Sequence, residues 1–246
     1  MKLLIIPNYT REKTNIALDK VISVLDAHKC EYTIDESEGK SFIEDSYDLI
    51  ISLGGDGTFL RSAKLAYKMD IPIVGINTGY AGYLTNISID DIEDSLKRIL
   101  NEGTSDNCRE DILITCDRNG EEEVVINELA LIRVSNSALF TVHTNGEEIF
   151  RTYSTGLVFT TPIGSTGYNL SAGGSVLDRD DNKFEITAIC PNIKCDKSLV
   201  VDCDKEYVVT CNKDVYSSLD GNEAVLLKAN TKIIIKKTAK KLLVKS

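Results

Sequence analysis

Asp56 stands among glycines in the run Gly54-Gly55-Asp56-Gly57-Thr58, after the apolar stretch Tyr47 to Leu53 and before the helical pattern Phe59 to Met69. A strand that ends in a glycine turn and opens a helix is a phosphate site. Its free N–H groups face outward, and the glycines let phosphate oxygens approach without a side-chain clash. A carboxylate is out of place in a passive anion cradle. Asp56 makes sense if it touches a metal ion or a hydroxyl about to be phosphorylated. The turn after the first strand reads Pro7-Asn8-Tyr9-Thr10, without GxGxxG, and no GxxxxGK[ST] run occurs. The chain is therefore neither an ordinary Rossmann dehydrogenase nor a Walker-type hydrolase.

Three further segments carry chemistry-bearing residues. Thr160 to Gly174 (TTPIGSTGYNLSAGG) follows a strand and is dense in small hydroxyl residues and glycine. Such a loop wraps a nucleotide with amides and hydroxyls while Tyr168 offers an aromatic face; a plain surface loop is the alternative. Asn127-Glu128, placed inside a strand from Val124 to Val134, has the donors and acceptors to clamp a ribose diol, or is a common polar pair at a strand edge. Asn77-Thr78-Gly79 closes the strand from Ile71, where open α/β sheets bind ligands; a simple turn is the equal alternative.

The elements that must position these residues change texture near residue 103. Up to there, strands Lys2 to Ile6, Glu31 to Ile34, Tyr47 to Leu53 and Ile71 to Ile76 alternate with helical patterns. These are Ile16 to Leu25, Phe59 to Met69, and Ile92 to Leu100 with Gly103 as its stop. This predicts an α/β N-terminal domain, a Rossmann-like parallel sheet with helices on both faces, over residues 1–103. Residues 104–246 predict an all-β, sandwich-like C-terminal domain, with the last residues a candidate for return to the first. Its strands are Glu123 to Val134, Leu139 to His143, Leu157 to Thr161, Phe184 to Cys190 and Tyr207 to Cys211. Asn119-Gly120, Asn145-Gly146 and Asp220-Gly221 are hairpin signals.

The formal net charge of −10 argues against a nucleic-acid or membrane surface. Lys236, Lys237, Lys240 and Lys241 form a local exception, expected to be a solvated tail. Seven cysteines without a CxxC pair or a signal-peptide pattern predict buried thiols rather than a disulfide framework or a zinc site, in a cytoplasmic protein.

Gly54 to Thr58, Asn77 to Leu84 (NTGYAGYL), Asn127-Glu128 and Thr161 to Gly174 resemble, in order and spacing, the GGDGT, NTGxxGxL, Asn-Glu and TPxGSTxYxxSAGG motifs of the NAD kinase family. The resemblance implies a phosphotransferase that moves the terminal phosphoryl group of ATP, or of polyphosphate, to the 2′-hydroxyl of the adenosine ribose of NAD(H). It also implies Mg²⁺ or another divalent cation travelling with the donor, no dedicated metal-ligand cluster, and a homodimer or homotetramer. Carried over residue by residue, Asp56 orients and deprotonates the hydroxyl, Gly55 and Gly57 lie against phosphates, and Arg61 meets phosphate charge. Asn127 and Glu128 hold a sugar and base. Thr155, Thr166, Gly167, Tyr168, Asn169, Leu170 and Ser171 belong to the dinucleotide pocket. Thr155 stands where the family has an aspartate, and Asn192 where it has a histidine, which bears on dinucleotide affinity. Two other readings stay open here: a diacylglycerol-type lipid kinase, which shares the GGDGT turn but lacks TPxGSTxY, and a non-catalytic NADP(H)-binding regulatory module.

Overall fold

Apolar runs without polar alternation become central strands. β1 (Lys2–Pro7), β3 (Leu49–Gly54) and β4 (Ile73–Asn77) are buried almost throughout, as parallel strands covered on both faces must be. Between and around them come α1 (Thr14–Ala27), β2 (Glu31–Ile34), α2 (Asp56–Met69), α3 (Ile92–Glu102) and β5 (Arg109–Asp111). The computed structural model describes residues 1–37, 46–79, 82–104, 106–118 and 120–245. Tyr80 and Ala81 of the NTGYAGYL run and Asn119 of the first hairpin signal lie outside the described residues. β2, β1, β3 and β4 pair in that order, all parallel. Ala17, Val21 and Leu25 of α1 and Ile92, Leu96 and Ile99 of α3 share one cluster with Leu3, Ile5, Ile51 and Val74. α2 lies on the opposite face, where a Cβ on Gly75 would come within 2.7 Å of the Phe59 ring. α3 stops at Gly103, whose φ of 94° suits only glycine.

The second unit alternates buried and exposed residues. It comprises β6 (Ile114–Asp117), β7 (Glu122–Val125), β8 (Glu128–Ile132), β9 (Ala138–Thr144), β10 (Glu147–Ser154), β11 (Gly156–Thr160), the short helix α4 (Tyr168–Ser171), β12 (Lys183–Ile189), β13 (Ser198–Asp202), β14 (Tyr207–Cys211), β15 (Val215–Leu219), β16 (Val225–Leu227) and β17 (Ile233–Lys237). Two antiparallel sheets form, ordered β10-β9-β14-β17-β6-β7 and β13-β12-β11-β8-β15-β16. Their inner faces share a core, with the Phe159 ring of one sheet 5.5 Å from the Tyr207 ring of the other. Asn145-Gly146 makes the tight β9–β10 turn with φ of 51° and 82°.

The structure corrects three sequence expectations. The strand expected from Glu123 to Val134 is broken at Ile126-Asn127, and its halves, β7 and β8, belong to different sheets. The cause is Asp220, whose carboxylate takes the N–H groups of Ile126 and Asn127 that a continuous strand would pair. The late lysines are not a solvated tail. Lys236 and Lys237 lie in β17, where Lys236 pairs with Glu122 at 3.1 Å and Lys237 pairs with Asp204, while Lys241 meets Glu110 at 2.9 Å. The boundary also moves: the chain divides into Met1–Glu110 with Lys241–Ser246, and Asp111–Lys240. β18 (Leu242–Lys245) returns to the first sheet, parallel to β4 with Val244 opposite Ile73, and completes the order β2-β1-β3-β4-β18-β5. Buried Lys245 donates to the Gly103 carbonyl at 3.1 Å and to the Asp106 carbonyl, with Glu102 at 3.6 Å.

Candidate active site

β3 delivers the Gly54-to-Thr58 turn at its C-terminal end, and α2 begins at Asp56 with Gly55 as its extended N-cap residue. Each glycine has a separate reason. A Cβ on Gly54 would collide with Thr58, whereas a Cβ on Gly55 or Gly57 would meet nothing within 4 Å. The space above Gly55 and Gly57 is thus open to a ligand. The Asp56 carboxylate accepts the Tyr83 N–H on Oδ2 at 3.1 Å and the Leu84 N–H on Oδ1 at 3.0 Å. Both oxygens keep further acceptor capacity. Gly82 fits there because it lacks a side chain: its Cβ would lie 2.8 Å from Asp56 Oδ1 and collide with Thr85 Oγ1.

Neighbouring strand ends brace this turn. Asn8, just after β1, donates from Nδ2 to Thr58 Oγ1 at 2.9 Å, and Thr78, just after β4, donates its N–H to the Gly54 carbonyl at 3.1 Å. Asn8 carried no site role in the sequence expectation, whereas Thr78 belongs to the Asn77-Thr78-Gly79 segment expected at a ligand-binding strand end. Arg61 is half-buried on α2, and five residues of helix place it about 140° around the axis from Asp56. The described contacts do not join the two.

In the second unit Asn127 and Glu128 sit at the strand break. One carboxylate, Asp220, collects the N–H groups of Ile126 (3.0 Å), Asn127 (2.6 Å) and Glu128 (3.3 Å). From the other side Thr161 Oγ1 donates to the Ile126 carbonyl at 2.6 Å, and Thr160 Oγ1 to the Asn127 carbonyl at 3.1 Å. A Cβ on Gly164 would collide with the Asn127 backbone. The glycine-hydroxyl loop therefore packs directly on the Asn-Glu pair.

Among the described residues, three buried side-chain atoms lack a hydrogen-bond partner: Thr85 Oγ1, Asn127 Oδ1 and Glu128 Oε2. Native proteins rarely bury an unpaired polar atom, and an exception marks strain, a functional role or a bound water or ion. Burial, followed by the charge of Asp220, pushes the Glu128 carboxyl up to about 7. The Tyr168 phenol is raised as well, by burial first and then by Cys190 and Glu128, which places Tyr168 in the electrostatic reach of the pair.

The loop residues separate into two groups. Thr166, Gly167, Tyr168, Leu170 and Ser171 are exposed or half-buried and remain available to a ligand. Asn169, expected in the dinucleotide pocket, turns its side chain into the protein instead. It is fully buried, donates to Glu185 Oε2 at 2.8 Å and the Ser175 carbonyl at 2.9 Å, and accepts from Thr187 Oγ1 at 2.6 Å. Buried Glu185 also accepts the Ser175 N–H at 2.9 Å, so Asn169 and Glu185 anchor the loop. Thr155 is not brought to this cluster either. β11 pairs Thr160 with Glu128 at one end and Gly156 with Ile132 at the other, leaving Thr155 about 17 Å from Thr160 at the strand rise. Thr155 is engaged locally, with N–H and Oγ1 both on the Ile189 carbonyl at 3.0 Å.

Residues 4–104 match the ATP-NAD kinase N-terminal domain and residues 121–245 the ATP-NAD kinase C-terminal domain. The chain belongs to the NAD kinase family. That membership sets aside the lipid-kinase alternative. The chain is 29% identical over 225 residues to an NAD kinase of Flavobacterium johnsoniae, covering 82% of this chain and 76% of that one. It is 33% identical over 177 residues to an NAD kinase of Citrifermentans bemidjiense, covering 69% of this chain and 60% of the relative. A crystal structure of an Archaeoglobus fulgidus NAD kinase in complex with ATP superposes with a TM-score of 0.82 at 25% identity, covering 100% of this chain and 94% of that one. That structure therefore shares the fold described here along the whole chain.

Proposed function

We propose that the protein is an NAD kinase, transferring the terminal phosphoryl group of ATP or polyphosphate to the 2′-hydroxyl of the adenosine ribose of NAD(H). The observation that carries this reading is a pairing within one family-matched chain. A carboxylate fixed at a helix start beside open glycines is combined with a buried Asn-Glu pair whose acceptor atoms lack partners. Asn127 Oδ1 and Glu128 Oε2 suit donors on a nucleoside, and Tyr168 offers a face for a base or ring. Asp56 receives the hydroxyl proton and holds the oxygen in line. Phosphoryl transfer proceeds through a loose transition state, so orientation and charge placement contribute more than basicity. Two backbone amides fix the Asp56 rotamer, which supports that orienting role.

No group of three or more acidic, histidine or cysteine side chains gathers among the described residues. The residues fit a divalent ion carried mainly by phosphate oxygens and water, with Asp56 as a carboxylate that could join them. When bound, such an ion supplies charge neutralisation on the phosphates. Family resemblance supports a homo-oligomer, in which Thr155 serves a neighbouring subunit rather than its own cluster. Seven unpaired cysteines support a reducing, cytoplasmic setting.

The test is formation of NADP from NAD with ATP and Mg²⁺, run beside NADH and a diacylglycerol as acceptors. We expect turnover with a nicotinamide dinucleotide and its loss in Asp56→Asn. No turnover with any acceptor would refute the kinase reading and leave a nucleotide-binding module.

A further inference from the structure

A cavity of about 390 Å³ opens at the C-terminal ends of β1 and β4, lined by Thr10, Arg11, Glu12, Lys13, Thr78 and Gly79. Its location follows from strand order. β3 lies between β1 and β4, so a cavity touching the loops after both flanking strands straddles the end of β3, where the glycine turn and Asp56 begin. β1 is also where the sheet reverses direction, with β2 on one side and β3 on the other. Open α/β sheets bind ligands at this kind of reversal.

The loop after β1 is held rigid for a surface segment. Asn8 Oδ1 accepts from the Thr10 N–H at 3.1 Å and the Thr10 hydroxyl at 2.6 Å, and the Asn8 carbonyl accepts from Thr14 Oγ1 at 2.7 Å. Thr14 and Thr78 hydroxyls meet at 3.0 Å, tying the loop to the residue after β4. Asn8 is also the residue bonded to Thr58 of the glycine turn. Arg11 lies against Gly79, with its Nε 3.8 Å from where a Cβ on Gly79 would stand. The Thr78 and Gly79 amides are already used, on the Gly54 carbonyl and on Asn77 Oδ1. Those two amides are therefore not free for a ligand, which leaves the loop after β1 as the cavity's recognising wall.

Its charge is the informative part. In a chain of net charge −10, the described lining of the cavity carries Arg11 and Lys13 against one acid, Glu12. Among the described residues neither cation makes an ion pair, although lysines elsewhere, such as Lys183, Lys236 and Lys237, are matched to acids. Two unmatched cations on a braced loop that is bonded through Asn8 to the glycine turn form a site for a chain of phosphates.

We propose that this cavity binds the phosphate chain of the phosphoryl donor, with Arg11 and Lys13 as its charge partners. The inference rests on the kinase reading and adds which loop holds the donor. A triphosphate and a longer polyphosphate share the required chemistry, so both donors enter the test. Arg11→Gln, Lys13→Gln and the double variant are compared with wild type in steady-state assays that vary ATP, polyphosphate and NAD separately. Binding of inorganic tripolyphosphate with Mg²⁺ is measured by calorimetry in parallel.

The double variant should raise the donor KM at least tenfold, leave the NAD KM within about twofold, and lose tripolyphosphate binding. Glu12→Gln removes the opposing charge and should lower the donor KM, a gain that a folding defect does not produce. A raised NAD KM with an unchanged donor KM would assign the cavity to the dinucleotide and overturn the proposal. Unaltered tripolyphosphate binding in the double variant, or none in wild type, would overturn it as well. The calorimetric result does not depend on turnover. If wild type phosphorylates no acceptor but binds tripolyphosphate through Arg11 and Lys13, the kinase reading fails and the phosphate site stands.

Discussion

Glu128 pairs a buried carboxyl with an oxygen that no group among the described residues satisfies. Burial and the neighbouring Asp220 raise its titration to about 7, so between the usual glutamate range and neutrality the folded protein holds a proton that the unfolded chain has released. The stabilisation is complete at low pH and falls as pH rises through that window. We expect wild type to lose about 2 to 3 kcal/mol more than Glu128→Gln between pH 5 and pH 8, read from urea denaturation at each pH. A nucleotide that donates a hydrogen bond to Oε2 favours the charged form, so its binding near pH 7 should release protons, detectable by calorimetry in buffers of different ionisation enthalpy. Asp56 is different, because its oxygens hold the Tyr83 and Leu84 amides. In Asp56→Asn one of those amides faces an NH₂ group. The substitution should cost about 1 to 2 kcal/mol while the protein stays folded, so circular dichroism will separate lost chemistry from lost structure.

At the scale of elements, glycines of similar appearance do opposite work. Gly57 has open space where a Cβ would go, and Gly164 has the Asn127 backbone there. Gly57→Ala should keep or raise the melting temperature, since alanine favours a helix by about 0.5 to 1 kcal/mol, yet lower kcat/KM by obstructing a phosphate. Gly164→Ala should instead destabilise the second unit by about 2 kcal/mol or more and weaken nucleotide binding, because backbone atoms cannot yield as a flexible side chain would. A sequence shows both as glycines in polar turns. Most strands and helices of the first unit were legible because each is an uninterrupted or periodic apolar run, and β3, β4 and α3 also end at or beside a glycine. The break at Ile126-Asn127 was not legible, since its cause, Asp220, lies more than 90 residues away and looks locally like an ordinary hairpin residue. The burial of Asn169 was not legible for a similar reason. A polar residue in a polar loop gives no sign that buried Glu185 and Thr187 wait beneath it.

For the whole molecule, the family motifs carried identification further than composition did, and they say little about how the chain is threaded. The sequence boundary near residue 103 marks a change of texture, whereas the first unit also owns β18. Lys245 shows how firmly: a fully buried ammonium placed among the Gly103 and Asp106 carbonyls and the Glu102 carboxylate. Lys245→Ala leaves those acceptors uncompensated and should cost about 3 to 5 kcal/mol. Hydrogen exchange should show the loss in β4 and α3 while the β-sandwich keeps its protection. The return of β18 also sets an order of assembly on the ribosome. β4 emerges early but must wait for one sheet neighbour until the entire sandwich has been made, an interval on the order of ten seconds at ordinary translation rates. Throughout that wait the β4 edge that β18 will cover is an unpaired strand edge, so the segment made first is the last to be finished and the one most in need of protection from other nascent chains.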